Sequence, residues 1–299
     1  MSGGNGHTVV LTFTRAPERV VSLVPSMTES LIDLDVSQAL VGVTDYCPIV
    51  PPPASGSVAR IGGTKSPRLD DIVALRPDLV IANQEENSRS VVEDLEARGL
   101  PVWVTFPRCI EDALRVLWQL IELFRIPRAA ARIKTLEVTV DWAHRAAASG
   151  PGVRVFCPIW ASETGDDVPW WMTFNRNTYA HDVLAVAGGM NVFADRDRRY
   201  PLEADLSGAE AEEPGERDTR YPRVTVDEIV TAAPELILLP SEPYAFGDDD
   251  EARLRESLRE TPAVRLGRVL SVDGSLLTWH GTRLARALAE LPSLVQTVP

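Results

Sequence analysis

Apolar residues come in short blocks along this chain, and the blocks alternate between two spacings. Near-continuous runs rich in Val, Ile and Leu fall at residues 20–24, 40–44, 79–82 and 102–105. Runs of that length read as strands buried on both faces of a sheet. Between them the pattern is helical. Ser26 and Glu29 have the S-x-x-E spacing of a capping box, opening a helix that ends near Asp35. Ser66-Pro67 opens a second helix, with Pro tolerated in the first turn. Residues 88–98 form a third, closed by Gly99 as a C-cap. Strand–helix alternation of this kind predicts a parallel, helix-covered sheet.

After Cys109 the pattern changes to two helical segments, 110–124 and 128–148, with Pro127 at the break. In the second, Ile133, Leu136, Val140, Ala143 and Ala147 recur at steps of three and four and make one apolar stripe. Arg132, Glu137, Asp141 and Arg145 fall on other faces. At about 1.5 Å per residue this is a rod of roughly 31 Å, long enough to span a small domain. Ser149-Gly150-Pro151-Gly152 stops it, and the alternation restarts at 153–157.

The second half repeats the first in one place. Asp70-Asp71-Ile72-Val73, three residues, then Pro77-Asp78-Leu79-Val80-Ile81 align without a gap on Asp227-Glu228-Ile229-Val230, three residues, then Pro234-Glu235-Leu236-Ile237-Leu238. Five of these nine positions are identical and the other four are conservative. Each copy reads as a short helix, a Pro that ends it, and a buried strand. Thr225 and Glu228 add a capping box to the second copy. A match on either side of a long helix is the mark of a duplicated lobe, although helix–Pro–strand is also a common local idiom. The expected organisation is an N-terminal extension (1–17), a first α/β lobe (18–126), an inter-lobe backbone helix (127–149) and a second α/β lobe (150–299). The fold is therefore α/β: two similar three-layer lobes with mostly parallel sheets, joined by one long helix, with a ligand cleft between them.

One stretch does not fit the alternation. Residues 203–218 hold seven acids and one base, and read as a solvated loop inside an insertion at about 195–222. Its flanks, Arg198-Arg199-Tyr200-Pro201 and Thr219-Arg220-Tyr221-Pro222, nearly repeat each other and are expected to meet, leaving the acidic part as a flap.

Composition narrows the function classes. A net charge of −13 argues against nucleic acid, which needs clustered Lys and Arg, and against an anionic membrane surface. Cys47, Cys109 and Cys157 are far apart and contain no C-x-x-C, so they spell neither a disulfide framework nor a zinc site. Residues 1–6 carry no charged side chain, and the nearby apolar run at 9–13 is interrupted by Thr12. No secretory leader or lipidated cysteine is written there, and no run reaches the length of a membrane span. Taken as it stands the sequence predicts a cytoplasmic protein, or an extracytoplasmic one whose leader has been removed.

The blocks Arg19-Val20-Val21-Ser22-Leu23-Val24-Pro25-Ser26-Met27-Thr28-Glu29, Val41-Gly42-Val43-Thr44, residues 70–81 and Gly188-Gly189-Met190-Asn191-Val192-Phe193 together resemble the helical-backbone class of substrate-binding proteins. These serve ABC importers of cobalamin, ferric siderophores and haem. The similarity runs over about residues 18–292, is interrupted by the acidic insertion, and looks most like the cobalamin-binding branch. It implies capture of a metal chelate or macrocycle, for an importer or as a soluble carrier, with no catalysis and no required cofactor. It also implies that Asp70 and Asp227, the pair found by the internal repeat, dock onto arginines of a transporter permease. Familiar members carry Glu there. Both acids equally suit a first helical turn for its dipole.

Loops at the carboxyl ends of the strands should contact the ligand. They supply Ser26, Met27, Tyr46, Lys65 and Asn83 from the first lobe, and Trp160, Trp171, Tyr244, Trp279 and His280 from the second. The aromatic share suits a planar or ring-rich ligand. His280, read as the end of a strand before a helix at Gly281, can be an axial ligand to a chelated metal or can satisfy a backbone group. No direct metal site is expected, because no two His are spaced for joint coordination; His144 and His181 lie within helices. The alternatives are a cytoplasmic α/β enzyme or a regulatory protein using the same cleft. Against an enzyme, no G-x-S-x-G, G-x-x-x-x-G-K or H-E-x-x-H occurs. A monomer is expected.

Overall fold

A computed structural model describes residues 14–51, 56–163 and 169–296 of the chain; the features read at residues 1–13 lie outside them. The chain divides into two compact units. The first holds the described residues up to Pro107, with Glu111–Leu136 and Trp279–Arg283. The second holds Arg108–Ile110, Glu137–Thr278 and the described residues from Leu284.

In the first unit β1 (Val20–Ser22), α1 (Pro25–Asp33), β2 (Leu40–Val43), β3 (Ala59–Arg60), α2 (Leu69–Ala74), β4 (Leu79–Asn83), α3 (Arg89–Ala97), β5 (Val102–Thr105) and α4 (Ile110–Leu123) follow in turn. The strands form one sheet of order β3-β2-β1-β4-β5 in which every pair is parallel. Val21, Leu23, Val80 and Ala82 join Ile72 of α2 and Val91 and Leu95 of α3 in a buried cluster. Val20, Ser22, Leu79 and Ile81 alternate with them and are equally buried, so both faces of the sheet are covered.

Two helix starts differ from the sequence reading. Pro25 takes the first position of α1 and Val24 the cap, with no side-chain cap bond. A proline with its fixed φ starts the helix one residue early, which puts Ser26 inside the first turn and leaves Glu29 to pair with Arg283. Likewise α2 begins at Leu69 after Arg68, because Pro67 is held in a β-bridge with Gly62. The third helix follows its signals, with Ser88 at the cap and Gly99 at φ +79.

A 3-10 turn at Pro127–Ala129 runs into α5 (Ala130–Ser149), and the division between the units falls inside that helix. Ile133, Leu136 and Val140 are buried, whereas Arg132, Asp141 and Arg145 are exposed.

The second unit contains β6 (Val153–Phe156), β7 (Trp160–Ala161), β8 (Trp170–Met172), α6 (Tyr179–Val186), β9 (Gly189–Asn191), α7 (Leu202–Ser207), β10 (Arg223–Thr225), α8 (Val226–Ala232), β11 (Leu236–Pro240), α9 (Asp248–Ser257), α10 (Pro262–Arg265), β12 (Val269–Val272), α11 (Ser275–Thr278) and α12 (Leu284–Gln296). Its main sheet, β12-β11-β6-β9, is again all parallel. A second, antiparallel sheet, β10-β8-β7, was not foreseen. Its inward row, Val224, Trp171 and Ala161, packs with Phe156, Ile237 and Leu239 of the main sheet and Ile229 of α8. Trp160, Trp170 and Trp171, expected in loops, are strand residues for this reason.

The internal repeat is reproduced contact by contact. In each copy a short first-turn-acidic helix, α2 or α8, precedes an interior strand, β4 or β11. The acid after the repeat's Pro accepts a backbone N–H at the start of the unit's first strand: Asp78 from Arg19, just before β1, at 2.9 Å, and Glu235 from Arg154, the second residue of β6, at 2.9 Å. The same arginines donate to carbonyls at the helix ends, Leu75 O and Ala232 O, both at 2.6 Å. Cationic donors on orphan C-terminal carbonyls are favourable in both places. The capping box of Thr225 and Glu228 is present in full.

The acidic stretch is not wholly a loop. Ala204 and Asp205, in α7, are buried, and Asp205 is a hub. Its carboxylate accepts Arg196 Nη1 and the backbone N–H groups of Arg199 and Arg223, each at 2.9 Å. The flanks meet as expected: Arg198 N–H donates to Thr219 O and Tyr200 Oη to Asp218 O, both at 2.8 Å. The run of acids in the sequence concealed one acid whose neighbours desolvate it together with its partners. Replacing Asp205 with Ala strands two N–H groups and leaves Arg196 with Glu228 as its remaining carboxylate. We expect a loss of about 3 kcal/mol in urea unfolding followed by tryptophan fluorescence; a loss below about 1 kcal/mol would remove the hub from this account.

Candidate functional site

In an open parallel sheet the crevice lies at the carboxyl ends of the strands where the strand order reverses. In the first unit that point is between β1 and β4. The chain fills it with its own polar groups. Ser26 follows β1, Asn83 ends β4, and His280 Nε2 lies 3.4 Å from both Ser26 Oγ and Asn83 Nδ2. Asn83 Oδ1 accepts the Glu85 N–H at 2.8 Å, which turns the amide nitrogen toward the imidazole. Nε2 is therefore the acceptor, and the ring is the neutral tautomer with its proton on Nδ1. Burial pushes the His280 pKa down to about 4.

His280 was expected at the end of a second-lobe strand. It follows α11 instead, and the Trp279–Arg283 segment belongs to the first unit. The physical reason is a latch onto α1. Gly281 has φ +86, and a Cβ there would overlap Ser30 Oγ. The Thr282 N–H donates to Ser30 Oγ at 3.1 Å, and Arg283 grips Glu29 through two bonds of 2.8 and 2.5 Å. The Arg283 guanidinium also lies over the Trp279 ring at 4.9 Å.

The remaining residues expected to face a ligand divide by exposure. Ser26, Met27, Asn83 and Trp171 are buried, and Trp279 is half-buried. Tyr46, after β2, is 70% exposed. Lys65 is exposed and donates to the Glu85 carbonyl. In the second unit the strand order reverses between β6 and β11. Trp160 follows β6 and Tyr244 follows β11. Their ring centroids lie 5.2 Å apart at 60°, with Trp160 47% exposed. Phe246 meets Tyr244 edge-on at 4.8 Å, and the Tyr244 hydroxyl donates to Asp250 Oδ1 at 3.1 Å. Burial, then the Asp250 bond, pushes the Tyr244 phenol upward. Asp70 and Asp227 are both exposed in first turns. Asp70 is paired with Arg98 at 2.7 Å. Among the described residues no three His, Cys, Asp or Glu side chains assemble as a metal site, and no helix is long and apolar enough to cross a membrane.

A family model described as periplasmic binding protein matches residues 20–276. A vitamin B12-binding protein of Vibrio parahaemolyticus is 25% identical over 285 residues, covering 94% of this chain and 90% of that protein. Among solved structures, a periplasmic heme-binding protein of Roseiflexus sp. RS-1 in apo form is similar with a TM-score of 0.69 at 22% identity, over 93% of this chain and 97% of that one. A periplasmic vitamin B12 binding protein of Vibrio cholerae is similar with a TM-score of 0.67 at 18% identity, over 94% and 97%. At those identities the structures speak for the fold.

Two predictions test the latch and the buried imidazole. Gly281→Ala forces a side chain into a left-handed backbone and against Ser30. It should lower stability to urea by about 2 kcal/mol, and an unchanged midpoint would show that the segment is not latched. For His280, the unfolded chain binds a proton at about pH 6.5, and the folded chain only near pH 4. Its stabilising contribution is full above pH 6.5 and falls by up to about 1.4 kcal/mol per pH unit below it. In urea unfolding between pH 4.5 and 7.5, His280→Asn should lessen the loss of stability on acidification; an unaltered slope would contradict a buried neutral ring.

Proposed function

The chain belongs to the periplasmic binding protein family and is a substrate-binding protein, and on that premise we propose that it captures a metal-bearing macrocycle or chelate of the cobalamin, haem or ferric siderophore kind and releases it unchanged. The observation that carries this reading is the aromatic pair of exposed Trp160 and half-buried Tyr244 at the strand-order reversal of the second unit. Flat faces of this kind suit a ring-rich ligand. Tyr46 is the exposed aromatic side chain that follows a first-unit strand. The similar proteins named for vitamin B12 and heme support the ligand class. The buried Ser26, Met27, Asn83, Trp171 and His280 hold the fold around these positions rather than offering surface to a ligand.

Delivery to an ABC permease belongs to the same proposal. Asp70 and Asp227 are exposed carboxylates at equivalent places in the two copies of the repeat. The exposed Asp70–Arg98 pair is worth little in water, so its carboxylate can be exchanged onto an arginine of a partner. Docking of this kind puts the chain at the outer face of the permease.

Purified protein titrated with haemin, cyanocobalamin and a ferric hydroxamate chelate should shift the absorption band of at least one at micromolar concentration. At a hundredfold excess over Kd the bound ligand should add about 2.7 kcal/mol to stability. Trp160→Ala with Tyr244→Ala should weaken that binding about tenfold. No shift and no protection with any of the three would overturn the ligand class.

A further inference from the structure

The two rings at the second unit's strand-order reversal are carried differently. Trp160 opens β7, whereas Tyr244 stands in the loop between β11 and α9. A loop tyrosine has side-chain torsions to settle before its face is of use to a ligand, and settling them at the moment of binding costs affinity. Here they are settled in advance. The Tyr244 hydroxyl donates to Asp250 Oδ1 at 3.1 Å, and Phe246 backs the ring edge-on at 4.8 Å. Asp250 lies in the first turn of α9, where its other oxygen accepts the Gly247 N–H at 3.0 Å. The carboxylate therefore cannot turn away without giving up a bond at the start of that helix.

Arg253, one turn further along α9, donates to the same Asp250 Oδ1 at 3.2 Å and to the Ser162 carbonyl at 3.1 Å. Ser162 directly follows β7 and is held to β8: its hydroxyl accepts the Trp170 N–H at 3.2 Å, and its own N–H donates to the Trp170 carbonyl at 2.9 Å. The strand that carries Trp160 and the loop that carries Tyr244 are thus joined through Ser162, Arg253 and Asp250. This circuit closes on the ring contact itself, with centroids 5.2 Å apart at 60°. An i,i+3 ion pair on a partly exposed helix face adds little to stability, so the consequence of this one falls on the tyrosine. Burial, and then the Asp250 bond, hold the Tyr244 phenol above its ordinary pKa. With its proton committed to a carboxylate, Tyr244 offers a neutral ring face and not a phenolate oxygen.

We propose that Asp250, steadied by Arg253, is a positioning residue for ligand binding: it sets the Tyr244 ring against Trp160 before a ligand arrives, so that the pair receives the ligand without reordering. The inference rests on the macrocycle-binding reading and adds to it two residues of α9 that act through Tyr244.

The test is a double-mutant cycle on the full chain, with haemin, cyanocobalamin and a ferric hydroxamate chelate as probes followed by absorbance. D250A and Y244F remove opposite ends of one hydrogen bond, and Y244F keeps the ring. Each should weaken binding of the probe that the wild-type chain takes up by about three- to tenfold, the net scale of one hydrogen bond. D250A/Y244F should bind no more weakly than the weaker single variant, because Asp250 then has no hydroxyl left to hold. Melting separates this from a merely structural role: D250A also frees the Gly247 N–H, and should lower the melting temperature to the same extent with Tyr or Phe at residue 244. If D250A does not melt cooperatively, R253A takes its place in the cycle, again with no added loss in the Y244F background. Unchanged affinity in D250A, or in R253A where it stands in, overturns the inference, and so do losses that multiply in the double variant. A loss far beyond tenfold in Y244F also overturns it, since the oxygen itself would then be a ligand contact. Each of these outcomes leaves macrocycle binding standing; binding of none of the three probes by the wild-type chain overturns both.

Discussion

Each unit is organised by one clasp. An acid placed directly after the helix-ending proline accepts the N–H at the entrance of the first strand, Asp78 from Arg19 and Glu235 from Arg154. The arginine it holds turns back onto the carbonyl end of the preceding helix. The clasp ties the start of the leading strand to a helix end and an adjoining interior strand that lie 56 to 81 residues further along. With these fixed, the parallel register of β1 with β4 and of β6 with β11 follows. Register in turn decides which residues emerge at the carboxyl ends of the strands, because a slip of one residue exchanges the two faces. A chemically ordinary surface contact, repeated, thus sets the geometry on which recognition depends.

The same topological position is treated oppositely in the two units. In the first, the strand-end crevice is closed by His280, Ser26 and Asn83, and the closing segment is secured by a glycine that no residue with a Cβ could replace without displacing Ser30. In the second, the equivalent reversal presents Trp160 and Tyr244, ring against ring, with Trp160 half in water. A buried, neutral polar cluster joined by hydrogen bonds rigidifies a core. A partly exposed aromatic pair gains by being covered. The two units therefore present different chemistry at equivalent strand ends, a closed polar cluster in one and a partly exposed aromatic pair in the other.

Much of this was legible because it rests on short-range pattern. The apolar runs became β1, β2, β4 and β5 within a residue or two, and the nine-position repeat became two copies of one helix–strand device with matching bonds. What escaped depends on neighbours far apart in the sequence. Nothing local says that Glu29 will leave its own N-terminal turn for Arg283, 254 residues away, or that His280 belongs with Ser26. Arg223-Val224-Thr225 does alternate polar and apolar, the signature of a half-buried strand. The acids before it drew attention to solvation instead, and three residues are a weak signal. Trp170 and Trp171 look alike as a pair; only the pleat separates the core ring from the one beneath Arg223.

The arginines of the second unit show how arrangement can matter more than composition. Arg196, Arg198, Arg220 and Arg223 lie within one short stretch of a chain whose net charge is −13. Arg196 is answered twice, by Asp205 and Glu228, each at 2.9 Å, and Arg220 is answered by Asp218. Such pairs offset their own desolvation and hold the insertion in place. Arg198 Nε and Arg223 Nε and Nη1 are buried without a hydrogen-bond partner, and the charges of Asp218 and Asp205 act on these two guanidinium groups without bonding them. Acid is abundant in the sequence nearby, so the lack is one of arrangement and not of supply: the hub at Asp205 has spent its oxygens on Arg196 and on backbone.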